Sequence, residues 1–154
     1  MFGDPVMNPM GWTEKLLKDV TDLIADCPHS TPVWTEKGRI CLRTSNLTVG
    51  GWNWSDTRFV SEESFALRIK RAQIIPGDII LSREGTIGVA AKVEPGMDLC
   101  MGQRLVQVRS KDKIVHPEYL LHLLLWSLSP SRINRFLVGS TSQHLNVGDL
   151  RTMT

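Results

Sequence analysis

Apolar residues near the start of the chain fall at helical intervals, with Leu16, Leu17, Val20, Leu23 and Ile24 following Thr13, a residue suited to cap a helix. The spacing predicts a helix from Thr13 to near Asp26. Ahead of it, Pro5, Pro9 and two glycines make residues 1–11 an extended lead-in. Behind it, Pro28 and Pro32 enforce a loop, because a residue before proline is driven out of the helical region.

The pattern then changes period. Residues 39–47 (Arg-Ile-Cys-Leu-Arg-Thr-Ser-Asn-Leu) read as a strand, Thr48-Val49-Gly50-Gly51 as a tight reversal, and Trp52-Asn53-Trp54 as a returning strand half buried on one face. Ser61-Glu62-Glu63 opens a helix with acids at the positive end of its dipole, Phe65 and Ile69 on one face, and Lys70 and Arg71 at its far end. Pro76-Gly77-Asp78 turns the chain into the apolar strand Ile79-Ile80-Leu81, and Gly85-Thr86-Ile87-Gly88 turns it again into Val89-Ala90-Ala91-Lys92-Val93. Leu105 to Arg109 alternates cleanly as a further strand. Pro117 suits the first turn of a helix carrying Tyr119, Leu120, Leu123 and Leu124. Ser129-Pro130 opens another through Ile133 and Phe136, closed by Gly139, and Asn146 or Asp149 starts a last short helix. The predicted fold class is α+β: one globular domain with a curved mixed sheet and several helices, mostly in the C-terminal half.

Composition narrows the class without naming a function. At 154 residues the chain fits a single domain with a sizeable core, and its longest apolar run, near residues 119–128, is interrupted by His122 and too short to span a bilayer. Residues 1–5 lack a basic segment and an apolar stretch, so no secretory signal is read there and a cytoplasmic location is expected. Cys27, Cys41 and Cys100 are odd in number with no C-x-x-C pair, which argues for reduced structural thiols rather than disulfides or a zinc ribbon. His116 and His122 lack the i, i+4 spacing of a helical metal pair.

The net charge of +2 is unevenly spread. Residues 1–30 carry two lysines against five acids, or −3, whereas residues 102–154 carry seven basic residues against three acids, or +4. That gradient fits a domain with one basic face toward a polyanion, as does a merely solvated face.

Candidate chemistry lies in short polar stretches. Gln103-Arg104 supplies the side chains that pair bidentately with adenine and guanine, or else a strand-edge pair bonded to a neighbouring loop. Arg43, Thr44, Ser45 and Asn46 offer similar groups before the Gly50-Gly51 turn. Arg68, Lys70 and Arg71 can neutralise phosphates or solvate a helix end. Ser140, Thr141, Gln143 and His144 string hydroxyls, an amide and an imidazole behind an apolar helix, which suits donation to phosphates or base edges as well as a helix cap with a polar loop. Asp78 reads as a turn residue accepting backbone N–H bonds. Ser82 has no lysine placed to activate it, and Asp78 with Glu84 lacks the lysine a metal-dependent nuclease would use. No glycine-rich nucleotide loop and no Asn/Asp-Pro-Pro-aromatic segment is present.

Several of these stretches line up in one order. Asp26-Cys27-Pro28-His29-Ser30-Thr31-Pro32, Arg43 to Asn46 with Gly50-Gly51, Phe59-Val60-Ser61, Gly77-Asp78-Ile79-Ile80-Leu81-Ser82, Gly102-Gln103-Arg104, Pro117-Glu118-Tyr119-Leu120, and Gly139 through Leu150 together resemble the target recognition domain of Type I restriction-modification specificity subunits. The resemblance implies a non-catalytic module that reads one half of a bipartite duplex target through the major groove. It implies partner modification subunits, which bind S-adenosylmethionine, and partner restriction subunits, which use ATP and Mg²⁺, with no cofactor on this chain. A whole subunit of that family has two recognition domains separated by long spacer helices, absent from this sequence. Residues 1–12 resemble the junction into a second recognition domain and residues 13–154 the domain itself, so the expectation is an isolated or truncated domain, or a half-size subunit that pairs as a homodimer. Two other readings stand beside it: a small metal-dependent nuclease or hydrolase using Asp78, Glu84 and a histidine, and a protein-interaction remnant with Trp12, Trp34, Trp52, Trp54 and Trp126 in an exposed patch.

Overall fold

The computed structural model describes residues 7–133, 137–138 and 144–154. In chain order it has a 3₁₀ turn Leu17–Asp19, strands β1 (Thr21–Asp26) and β2 (Arg39–Leu42), a 3₁₀ turn Thr44–Asn46, β3 (Phe59–Val60) and helix α1 (Glu62–Ile69). Then come β4 (Ile79–Ser82), β5 (Ala90–Lys92), β6 (Leu99–Met101), β7 (Leu105–Ser110), α2 (Pro117–Ser127), β8 (Leu137–Val138), β9 (His144–Leu145) and α3 (Val147–Thr152).

Two sheets carry the domain. The larger has the order β1-β7-β4-β5 with every neighbouring pair antiparallel, and the smaller has the order β3-β2-β6, in which β2 runs parallel to β6 and antiparallel to β3. The mixed character expected of the sheet lies in the smaller one. Strands β8 and β9 form a separate ribbon.

The solid apolar run of β4 follows from its place in this stack. Ile79 and Leu81 face a core shared with Leu120, Leu121 and Leu124 of α2 and Leu150 of α3, while Ile80 faces the other way, into a core shared with Leu42, Leu99 and Met101 of the smaller sheet. A strand covered on both faces has no solvent side to keep polar. Ile79, Ile80 and Leu81 are all fully buried, and each contributes roughly 1.5–3 kcal/mol by leaving water. Beyond the smaller sheet, Phe65 of α1 packs on Cys41, Val60 and Cys100. The layers are therefore α2 and α3, the larger sheet, the smaller sheet, then α1. The three cysteines are free and buried.

The helices that the caps announced are present. Ser61 Oγ accepts from Ser64 N at the start of α1, Pro117 occupies the first turn of α2, and Asn146 Oδ1 accepts from Gly148 N at 2.7 Å to open α3.

The N-terminal helix is not. Residues 21–26 form β1, paired with β7, and the helical spacing of Leu17, Val20 and Ile24 has another origin. Leu17 sits in the 3₁₀ turn, and a register shift between Thr21 and Leu23 interrupts the alternation along β1. An irregularity of this kind breaks the period of two, and the surviving apolar positions mimic a helical face.

Two further boundaries move. The strand expected over 39–47 stops at Leu42, because Asn46 Oδ1 accepts from the Arg43 N–H and draws the chain into the 3₁₀ turn. Trp52 forms an isolated bridge with Leu47 rather than a strand, its Nε1 donating to Lys92 O at 3.0 Å. After α2, residues 128–133 make turns, with Ile133 N donating to Ser129 O. Phe136 and Gly139 of the helix predicted there lie outside the described residues.

Candidate nucleic-acid interface

The two sheets end together. In the larger one, Asp26 of β1 lies beside Val106 and Ser82 of β4 beside Leu105, so the ends of β1 and β4 meet the start of β7. In the smaller one, Leu42 ends beside Met101 because β2 and β6 are parallel. The chain leaving these strands forms the loops Cys27-Pro28-His29, Arg43 to Asn46, Arg83-Glu84 and Gly102-Gln103-Arg104, all along one edge. Short contacts tie them together: Arg83 N donates to Arg104 O at 3.0 Å, Leu145 N to Arg83 O at 2.8 Å, and Gln103 Nε2 to His29 O at 2.9 Å. Gly102 permits the closest approach, since a Cβ there would meet Leu42 O at 2.5 Å.

Several residues singled out in the sequence support this edge from inside. Arg68 is buried, and its guanidinium donates to Met101 O at 3.0 Å and Ser30 O at 2.8 Å, joining two loops. Asn46 is buried too, holding Arg43 N, Asn53 O and Asp56 O. Their polar atoms face protein rather than solvent.

Other candidates face outward. Ser45 is exposed and Thr44 half-buried. Arg43 pairs with the Asp56 carboxylate and lies 5.9 Å from the Trp34 ring centre, and Arg58 lies 5.8 Å from the same ring. The Arg43 hydrogen bond is the main reason the Asp56 carboxyl sits below the usual carboxylate range. Lys70 and Arg71 are exposed at the end of α1, where the chain heads toward Gln73 and the opposite end of β7. His144 is half-buried and bridges Glu84 through its backbone. Ser140, Thr141 and Gln143 lie outside the described residues.

The edge holds groups that sequence reasoning did not place there. Arg83, Glu84 and His29 line, with Cys27, Pro28, Gln103 and Arg104, a polar recess of about 220 Å³. Arg83 Nε stands 3.2 Å from Asp26 Oδ1, an ion pair whose angle makes no hydrogen bond, and its Nη2 is 3.5 Å from Glu84 Oε1. Arg104 Nε is 3.5 Å from Glu84 Oε2. Arg104 also has φ +66°, which for a residue with a Cβ costs on the order of 1 kcal/mol. No local signal marks these contacts, because they join residues brought together by strand pairing.

The charge gradient does not become one basic face. Arg109 is drawn to Asp78 at the far end of β7, Lys111 donates to Asp19 O, Arg151 to Ile24 O, and Arg132 stacks 3.6 Å from the centre of Trp126. The edge takes its cations from arginines well apart in sequence. Asp78, fully buried, accepts from Arg109, Gln107 and Ile75 N, which removes from the nuclease reading the acid it needed. Among the described residues no cluster of three or more His, Cys, Asp or Glu could hold a metal ion. The tryptophans do not form one patch: Trp52 packs on the core and stacks with Trp54, Trp126 lies on α2, and Trp12 is exposed on the lead-in.

A second recess, of about 530 Å³, lies at the opposite end of the larger sheet, between residues 75–77, 92–95 and 116–117. Its cations are engaged in ion pairs, Lys92 with Glu118 and Glu94, and Arg109 with Asp78.

Sheets whose loops gather on one edge, lined by arginine, amide and imidazole groups, define a module suited to contacting nucleic acid. The fold is similar to the crystal structure of a Type-I restriction-modification system S subunit from M. genitalium, with a TM-score of 0.60 and 15% identity over 92% of this chain. The chain spans about a third of that subunit, 33% of its length. No curated protein matches it in sequence. Residues 9–154 match the family described as Type I restriction modification DNA specificity domain, and the chain belongs to that family.

Proposed function

We propose that this chain is a sequence-specific duplex DNA-binding module that reads one half of a bipartite target for a Type I restriction-modification complex. The observation that carries the reading is the convergence of Arg43, Arg58, Arg83, Gln103 and Arg104 on one edge of a chain from the DNA specificity domain family. In this reading Thr44, Ser45, Gln103, Arg104 and His144 meet base edges or sugar-phosphate, and Ser140, Thr141 and Gln143 keep the same proposed role. Arg43 and Arg58 supply charge toward phosphates at this edge, while Lys70 and Arg71, where the chain leaves α1 toward the opposite end of β7, would meet only phosphates beyond it. Asn46 and Arg68 act indirectly, by shaping the loops.

The module does no chemistry in this reading. S-adenosylmethionine, ATP and Mg²⁺ bind partner modification and restriction subunits, and the complex works in the cytoplasm. Among the described residues no helix is long and apolar enough to cross a membrane. A half-size subunit would supply the second half-site reader by pairing as a homodimer.

The test is duplex binding across a salt series, with and without modification subunits. Binding should weaken linearly in a log-log plot, with a slope near 0.9 for each phosphate neutralised. Failure to bind any duplex at low salt, alone or with those subunits, would sink the proposal.

A further inference from the structure

Four arginines stand on the reading edge, and three are held close to the protein. Arg83, with 16% of its side chain exposed, lies between Asp26 and Glu84. Arg43, at 25%, engages Asp56 beside Trp34, and Arg58, at 46%, shares both neighbours. Arg104 differs in exposure, with 63% of its side chain in solvent, and Glu84 is set against its inner nitrogen Nε as Asp56 is against that of Arg58. A carboxylate at Nε orients a guanidinium while leaving the two donors at its tip for an incoming group. Those donors match the paired acceptors O6 and N7 of guanine in the major groove.

We propose that Arg104 reads a guanine in the target, with Glu84 as its positioning residue. This deepens the duplex-reading function and rests on it. The backbone supports the assignment: Arg104 keeps a left-handed φ of +66° where glycine would sit without strain, and such outliers concentrate at working sites. Both partners are braced. Arg104 O accepts from Arg83 N, Ser82 Oγ donates to Glu84 O at 2.9 Å, and Glu84 Oε1 faces Arg83 Nη2. Gln103, the neighbouring candidate, has its amide on His29 O, so the outward donor of the pair is the arginine.

Selection of bound sequences from random duplexes, run on the 154-residue chain and on Arg104→Ala and Glu84→Gln, tests the assignment. The expected result is a guanine in the selected site whose preference disappears with Arg104→Ala and weakens with Glu84→Gln, while preferences elsewhere in the site persist. A general loss across all positions would mean a structural role only and would overturn the assignment. Replacing that guanine by 7-deazaguanine, which lacks N7 but keeps O6, should weaken wild-type binding roughly 5- to 10-fold, the lower part of the range for a bidentate base contact, and leave Arg104→Ala unaffected. The wild-type half of that comparison needs no variant, so the proposal stays testable even if a variant misfolds. A selected site without guanine, or an unchanged site in Arg104→Ala, overturns the inference while leaving duplex reading intact. No selection of any duplex overturns both.

Discussion

Arg68 donates through Nη1 to the carbonyl of Met101, the last residue of β6, and through Nη2 to the carbonyl of Ser30, so one buried guanidinium fastens the loops that follow β1 and β6. The charge of Arg68 serves the architecture of the edge. Replacing Arg68 by methionine keeps much of the apolar volume but strands the carbonyls, and is expected to cost about 2–4 kcal/mol. Urea unfolding of the variant measures it, and an unchanged midpoint would show that the clamp contributes nothing.

Asp78 and Arg109 form the matching device at the other end of the larger sheet. Asp78→Asn keeps the shape of the side chain but leaves the Arg109 guanidinium, 30% exposed, without its counter-charge. A loss of roughly 2–4 kcal/mol is expected, at the lower end of the buried-pair range because Arg109 is partly solvated. Thermal unfolding checks this, and the Asp78 hydrogen bond that holds the Arg109 pKa above its usual value accounts for the sign.

The Asp56 carboxyl, lowered chiefly by the hydrogen bond from Arg43, makes the 43–58 loop sensitive to acid. A group whose folded pKa is depressed stabilises the fold above its unfolded pKa, near 3.9 for aspartate, and that stability is lost as pH falls through the lowered folded value. Trp34, beside both Arg43 and Arg58, reports on the loop. Its fluorescence should change as pH is taken below about 4, and the change should be absent in Asp56→Asn.

Arg104→Gly should separate stability from function. Glycine relieves about 1 kcal/mol of left-handed strain but adds roughly 0.5–1 kcal/mol of unfolded-state freedom, so a net gain of at most about 0.5 kcal/mol in stability is expected. Base preference in duplex binding should fall at the same time. A destabilised variant in chemical denaturation would contradict this account of the strain.

Much of the fold was legible in local pattern. Ser61, Pro117 and Asn146 announced α1, α2 and α3 because caps act within one turn of chain. The apolar run of residues 79–81 announced β4, since a strand covered on both faces has no polar side to show. β1 was hidden for the converse reason: its irregular register against β7 left apolar positions at helical intervals, and only pairing with residues 106–110 reveals the strand.

By itself the sequence determined the α+β class, the cap-defined helices, the glycine turns and the ordered polar stretches that mark a DNA specificity domain, because each is written in residues close along the chain. The division of labour among those polar residues was decided by tertiary structure alone. Arg68 and Arg104 are both arginines near the same edge, yet one is buried on backbone carbonyls and the other is exposed beside Glu84. What separates them is burial and charge pairing, which depend on neighbours that strand pairing brings from far along the chain.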